Sequence, residues 1–214
     1  MQLKFELCSG MMAKNREVPN MKVITLSREY GAGGHTIGEA VAKALGIEFY
    51  DRDIIRAAAK AGGMEAEQIE RQEETLTGAQ SFLRNITPIG YDQKDAIFDY
   101  EKQAILELAA KGPCVILGRC ADAILSEAGI PSLDIFVYGD EDSRAVRVGE
   151  LLGTTDDEEI RREMKKTDHA RRTYYTTYSG RHWGDYRSFD LMLDSGALGY
   201  DACVRLICDA ARSV

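Results

Sequence analysis

The sequence predicts an α/β fold in which a five-stranded parallel sheet carries helices on both faces. Three observations predict it. Short apolar runs alternate with stretches of helical period along nearly the whole chain. "CVILG" at 114–118 is almost continuously apolar, as a parallel strand covered on both sides must be. And "GAGG" at 31–34 stands between a strand and a helix, at the sheet edge where such folds bind ligands.

In order, "KVITL" at 22–26 reads as the first strand. After the glycine turn, Ile37, Ala40, Val41, Ala44 and Leu45 form the stripe of a helix packed on a sheet, which Gly46 ends. "IEFYD" at 47–51 is a second strand, and "RDIIRAAAKAG" the helix that it feeds. Residues 65–95 are polar, contain a Pro88-Ile89-Gly90 break, and read as a variable segment. A longer helix over 93–111 sets Ile97, Tyr100, Ala104, Ile105 and Leu108 on one side, and Lys111-Gly112-Pro113 stops it. Strands at 114–118, 133–139 and 189–195 follow, with helices over roughly 119–128, 140–152, 155–172 and 199–211. Thr155 and Glu158 have capping-box spacing, and the acids of "TDDEE" precede the bases of "KKTDHARR" as the helix dipole favours. Residues 1–20 show no period and read as a tail before a single domain over 21–214.

Length and composition limit the function. The 214 residues, 44% hydrophobic and 29% charged, suit one sizeable globular domain. A formal net charge of −8 excludes a nonspecific binder of nucleic-acid polymers and requires any anionic ligand to meet a local positive cluster. Five cysteines without a C-x-x-C pair, and only three histidines, argue against disulfides and zinc; Cys114 and Cys203 read as small core residues. No run reaches the roughly 18 apolar residues of a membrane span, and the start lacks the apolar centre of a secretory signal, so the expectation is a cytoplasmic protein with no membrane partner.

The glycine turn has three readings. Against the phosphate-loop pattern G-x-x-x-x-G-K-[ST], Arg28 stands at the first glycine, Gly33 at the second, and Gly34 where the lysine belongs. Backbone amides and a helix N-terminus remain for phosphates, but the side-chain charge is missing. A dinucleotide fingerprint fails at Thr36, although Asp51 lies about twenty residues on, where that fold places its ribose-binding acid. A tight strand-to-helix turn with no ligand explains the glycines equally well.

The order "ITLSREYGAGG…IG…LGIEFYDRDII", then "VILGRCADAIL", then "KKTDHARRTYY…G…WGD…FDLMLDS" resembles the cytidylate kinase-like family, relatives of the nucleoside monophosphate kinases, over about residues 21–212. The resemblance implies a P-loop kinase-like three-layer sandwich with a helical lid at about 153–187, and transfer of a phosphoryl group from ATP, with Mg2+, to a nucleoside monophosphate or similar small acceptor. Cytidylate kinases carry a lysine where Gly34 stands, and an Asp-Gly-Arg-Asp run where this chain has Leu117-Gly118-Arg119-Cys120. Asp122 offers a carboxylate for the second role.

Phosphoryl transfer rests on positioning and positive charge, so a site without its lysine must find charge elsewhere. Arg28 opens the turn and Arg119 follows the third strand; with Arg171 of the lid motif they are the candidate catalytic residues. Gly31, Ala32, Gly33, Gly34, His35 and Thr36 would cradle the ATP phosphates, Thr36 offering its hydroxyl to magnesium. The resemblance places Arg144, one turn before Arg147, near the ATP base or phosphates. It places Asp51 and Arg119 at the acceptor, together with Asp168, whose D-x-x-R spacing lets it orient Arg171. The aromatic segment 173–189 leaves packing, base stacking and a homo-oligomer contact open. Two other function classes stay beside the kinase: a noncatalytic nucleotide- or anion-binding protein that kept the fold without the lysine, and a nicotinamide-dependent oxidoreductase using Asp51.

Overall fold

A computed structural model describes residues 23–61 and 93–213. The expected tail at 1–20 and nearly all of the variable segment at 65–95 lie outside the described residues.

Five strands form one sheet: β1 (Val23–Arg28), β2 (Glu48–Tyr50), β3 (Cys114–Leu117), β4 (Ser132–Tyr138) and β5 (Leu191–Asp194). Their order is β2-β3-β1-β4-β5, and every pairing is parallel. All carboxyl ends therefore share one edge, and the chain leaves β1 between strands that it reaches later on either side, the crevice in which open α/β sheets hold ligands.

The helices are α1 (Gly34–Leu45), α2 (Arg52–Ala61), α3 (Gln93–Ala110), α4 (Ala121–Glu127), α5 (Glu141–Leu152), α6 (Asp157–Ser179), the short α7 (Ser195–Leu198) and α8 (Tyr200–Ser213). On one face Ile37 and Val41 of α1 and Ile207 of α8 pack on Ile24, Leu26, Val115 and Ile135. On the other, Ile55 of α2, Ile105 of α3 and Ile124 of α4 cover Ile116 and Phe136. Each such fully buried aliphatic side chain contributes roughly 1.5–3 kcal/mol. A third, small cluster joins α5 to α6 through Val148, Ile160 and Met164, and Tyr30 packs against it. The loop after β1 is thus tied to the α5–α6 hairpin by packing.

Two details differ from the sequence reading. The cap of α6 is Asp156, whose carboxylate accepts the amides of Glu158 and Glu159, rather than Thr155. And α6 continues to Ser179, seven residues past the bases expected to close it, so those bases lie mid-helix. Burial explains the extension: Tyr175 enters the core against Phe189, and Phe98 stacks on Tyr178 at 4.1 Å. Trp183 likewise meets Phe136 edge-on, so these aromatics pack the fold. The four described cysteines are buried and free.

Candidate functional site

The glycine turn runs from the end of β1 into α1, with Gly31 and Gly33 at φ +85° and +75°. It is pinned from three sides. The buried Ser195 hydroxyl, at the end of β5, donates to the Ala32 carbonyl at 2.8 Å. The Tyr30 amide donates to Asp168 Oδ1 of α6 at 2.7 Å. Arg144 of α5 donates to the Tyr30 carbonyl at 3.0 Å and to Asp168 Oδ2 at 2.7 Å, and also meets Glu29 at 3.3 Å. Arg144 is therefore occupied with the loop backbone and two carboxylates. Arg147, one turn on, pairs with Glu150 at the surface, so the two arginines do not act together.

Asp168 does not hold Arg171, as the D-x-x-R spacing led us to expect; its two oxygens go to Tyr30 and Arg144. Arg171 instead donates to the Arg28 carbonyl at 3.0 Å, and its guanidinium lies 5.5 Å from the Tyr30 ring centre. The physical reason is reach: the loop amide and Arg144 bring two donors to the carboxylate at 2.7 Å, and these satisfy it.

Arg28 takes an unexpected path. A Cβ placed on Gly34 would lie 2.6 Å from Arg28 Cγ, so the arginine stem passes over the position where phosphate loops carry lysine. Its guanidinium ends against Gly118, where a Cβ would meet Nη1. Only glycine at 34 and 118 leaves this channel open. Among the described residues no carboxylate lies within ion-pair distance of Arg28. Burial first, then the facing charges of Arg171, Arg119 and Arg52, lowers its pKa to about 9. Burial also lowers that of Arg171.

Arg119 leaves β3 through a left-handed turn in which Gly118, Arg119 and Cys120 take φ +76°, +58° and +55°. Non-glycine residues in this region cost about 1–2 kcal/mol each, and such strain gathers at functional sites. The guanidinium lies 3.4 Å from Glu101 Oε1 and over the Tyr174 ring. Arg56 reaches the same oxygen at 3.7 Å, and the Tyr174 hydroxyl donates to Oε2 at 2.6 Å. Oε1 is within ion-pair reach of both arginines but receives no well-formed hydrogen bond among the described residues. Glu101 is 1% exposed, and sequence reasoning missed it. The signal was there: it falls on the apolar stripe of α3, four residues from both Ile97 and Ile105.

Asp51 caps α2, its Oδ1 accepting the amides of Asp53 and Ile54 at 3.0 Å, which holds its carboxyl below the ordinary range despite the opposing effect of burial. Its Oδ2 lies 3.4 Å from the exposed His35 ring. Thr36 is exposed on the first turn of α1. Asp122 is 4% exposed and accepts the Tyr175 hydroxyl at 2.6 Å, so it is not a free carboxylate for a metal. The structure thus gathers Arg28, Arg119, Arg171 and the 31–36 turn at one edge, and assigns Arg144 and Asp168 to bracing it.

Beside the loop a cleft of about 310 Å³ opens between Glu29, Tyr138, Arg172 and Trp183, with Arg172 over the indole. A larger one, about 450 Å³, lies near the amino end of β4. It is remote from the glycine turn, and its Arg187 is paired with Asp185 at 2.8 Å.

A family model described as the cytidylate kinase-like family matches residues 23–197. Among solved structures, an uncharacterized protein from Eubacterium ventriosum is 26% identical, with a TM-score of 0.70 over 90% of this chain and 99% of that one. A gluconokinase from Sinorhizobium meliloti, 18% identical, shares the fold at a TM-score of 0.53, over 91% of this chain and 93% of that one. No curated protein matches the chain.

Proposed function

The chain belongs to the cytidylate kinase-like family, and from that premise we propose that it is a phosphotransferase, moving the terminal phosphoryl group of ATP to a nucleoside monophosphate or similar small acceptor. One observation carries the reading: guanidiniums of Arg28, Arg119 and Arg171 converge beside the glycine turn, with Arg28 unpaired among the described residues and its stem over the lysine position. Unneutralised positive charge at a half-buried edge is costly unless an anion completes it.

On this reading the amides of 31–36 and the start of α1 hold the ATP phosphates. An anionic acceptor oxygen, as a monophosphate supplies, bonds to the γ-phosphorus while the bond from that phosphorus to the β–γ bridging oxygen breaks, and ADP leaves with the electron pair; a hydroxyl acceptor would also release its proton to solvent. Arg28 and Arg171 stabilise the charge that gathers on the transferring group, and Arg119, aimed by Glu101, holds the acceptor side. Asp51 faces the acceptor with its second oxygen. Asp168 and Arg144 are positioning residues that fix the loop, and the hairpin of α5 and α6 is the lid over it. Toward magnesium the turn offers only the exposed Thr36 hydroxyl; Glu101, Asp122 and Asp168 are engaged by arginine, hydroxyl and amide donors, and Asp51 keeps only Oδ2 clear of the α2 amides.

The test is ADP formation from ATP across a panel of nucleoside monophosphates and small hydroxylated acids and sugars. Acceptor-dependent turnover that falls about a hundredfold or more in Arg28→Met is expected. ATP binding without turnover on any acceptor would overturn the kinase and leave an anion-binding protein.

A further inference from the structure

Resting on the phosphate-binding reading above, we infer that this loop binds a polyphosphate without a divalent cation, the guanidiniums of Arg28, Arg119 and Arg171 supplying the charge that magnesium supplies in other phosphate loops. The donor set carries the first part of the argument. Magnesium in such sites is held by one or two carboxylates together with substrate oxygens. Here the third-strand position that is aspartate in cytidylate kinases is Leu117, 2% exposed in the core. Asp51 gives Oδ1 to the α2 amides and sets Oδ2 3.4 Å from His35, Glu101 lies between two arginines, Asp122 accepts from Tyr175, and Asp168 serves Tyr30 and Arg144. Among the described residues no group of three or more histidines, cysteines and acids is arranged to hold a metal. Thr36 alone offers an uncommitted oxygen on the first turn of α1.

The second part is where Arg28 goes. Between the first residue of α1 and Gly118 after β3, the space is filled by the Arg28 side chain, close enough to both glycines that neither tolerates a Cβ. A cation is already there, covalently attached. The third part is electrostatic: Arg171, Arg119 and Arg52 face Arg28 with like charge, against the single opposing carboxylate of Asp51. A divalent ion entering that cluster meets repulsion from each guanidinium, whereas a polyphosphate meets attraction from each. The planar donors of arginine also match phosphate oxygens in pairs, which a single ammonium does not.

The experiment is calorimetric titration of the full chain with ATP and, separately, with inorganic tripolyphosphate, each in saturating magnesium and in excess chelator. Affinities within about threefold of each other in the two conditions are expected, with Arg28→Gln weakening binding about tenfold or more in chelator. A tenfold or greater loss on chelation overturns the inference and leaves the phosphotransferase reading standing. Binding of neither anion in either condition overturns both. Unchanged affinity of Arg28→Gln in chelator removes Arg28 from the account and overturns the inference as stated. The wild-type comparison does not depend on the variant folding.

Discussion

At the scale of one residue, Arg28 shows how a phosphate loop manages without its lysine. In the free protein its charge is a liability: the charged form is disfavoured by burial and by Arg171, Arg119 and Arg52, which is why its pKa is lowered to about 9 from 12.5. Methionine at 28 keeps the volume that lies along Gly34 and Gly118 and removes the charge. Arg28→Met is therefore expected to raise the anion-free melting temperature, by the equivalent of about 1–2 kcal/mol, while abolishing the further rise that tripolyphosphate gives the wild type. Differential scanning calorimetry with and without the anion reads both effects, and a lower anion-free melting temperature would show that Arg28 is already well compensated. Arg28, Arg119 and Arg171 were legible in the sequence because strand ends and the lid motif place them. Arg144 was legible as a site residue but not as a brace, because its partners Tyr30 and Asp168 are 114 and 24 residues away. Glu101 was overlooked because an acid on an apolar stripe was not treated as a signal.

At the scale of elements, the loop is fixed by what packs on it, and two contacts can be tested. Asp168→Ala leaves the Tyr30 amide without its acceptor and Arg144 with Glu29 as its remaining carboxylate. A loss of about 3 kcal/mol in urea unfolding is expected, as for other broken half-buried pairs. Gly34→Lys, the change that would rebuild an ordinary phosphate loop, puts its Cβ 2.6 Å from Arg28 Cγ and 2.7 Å from Cβ. Those atoms sit at the root of the side chain and cannot swing aside. Gly34→Lys alone should destabilise, and adding Arg28→Gly should recover stability, with a coupling of about 1–3 kcal/mol in a double-mutant cycle. Additivity would mean that the two side chains do not compete for one space. Element types and most boundaries were legible within a residue or two, because strands and helices here carry clean periodicity. The exception, α6, was cut short because the bases of 165–172 imitate a helix end, while Tyr174, Tyr175 and Tyr178 extend it through tertiary burial.

At the scale of the whole molecule, the order of the strands and the buried polar contacts between distant segments lay beyond local sequence patterns, because both are set by pairings far apart along the chain. Tyr175 with Asp122, 53 residues apart, and Thr25 with Asp134, 109 apart, are two such contacts. These acids give the molecule a definite response to pH. Burial pushes the carboxyl groups of Glu29, Asp122 and Asp134 above their ordinary values, although Arg144, Tyr175 and Thr25 respectively pull the other way. A carboxyl raised in the folded state binds more protons folded than unfolded, so stability falls as pH rises from the ordinary carboxylate value through the raised one. Asp51 is lowered instead, so its contribution is present above its ordinary value and fades as pH drops through the lowered one. Asp140 and Asp185 are lowered likewise, but above the ordinary carboxylate value all three lowered groups are ionised in the folded and unfolded chain alike, so the raised groups alone set the slope there. The net charge of −8 acts in the same direction, since titrating acids relieves self-repulsion. Urea midpoints are expected to fall as pH rises from about 4.5, just above the ordinary carboxylate value, and Asp122→Asn should flatten that slope. A midpoint that rises with pH over this range would mean that the three carboxylates are better compensated in the folded protein than their burial implies.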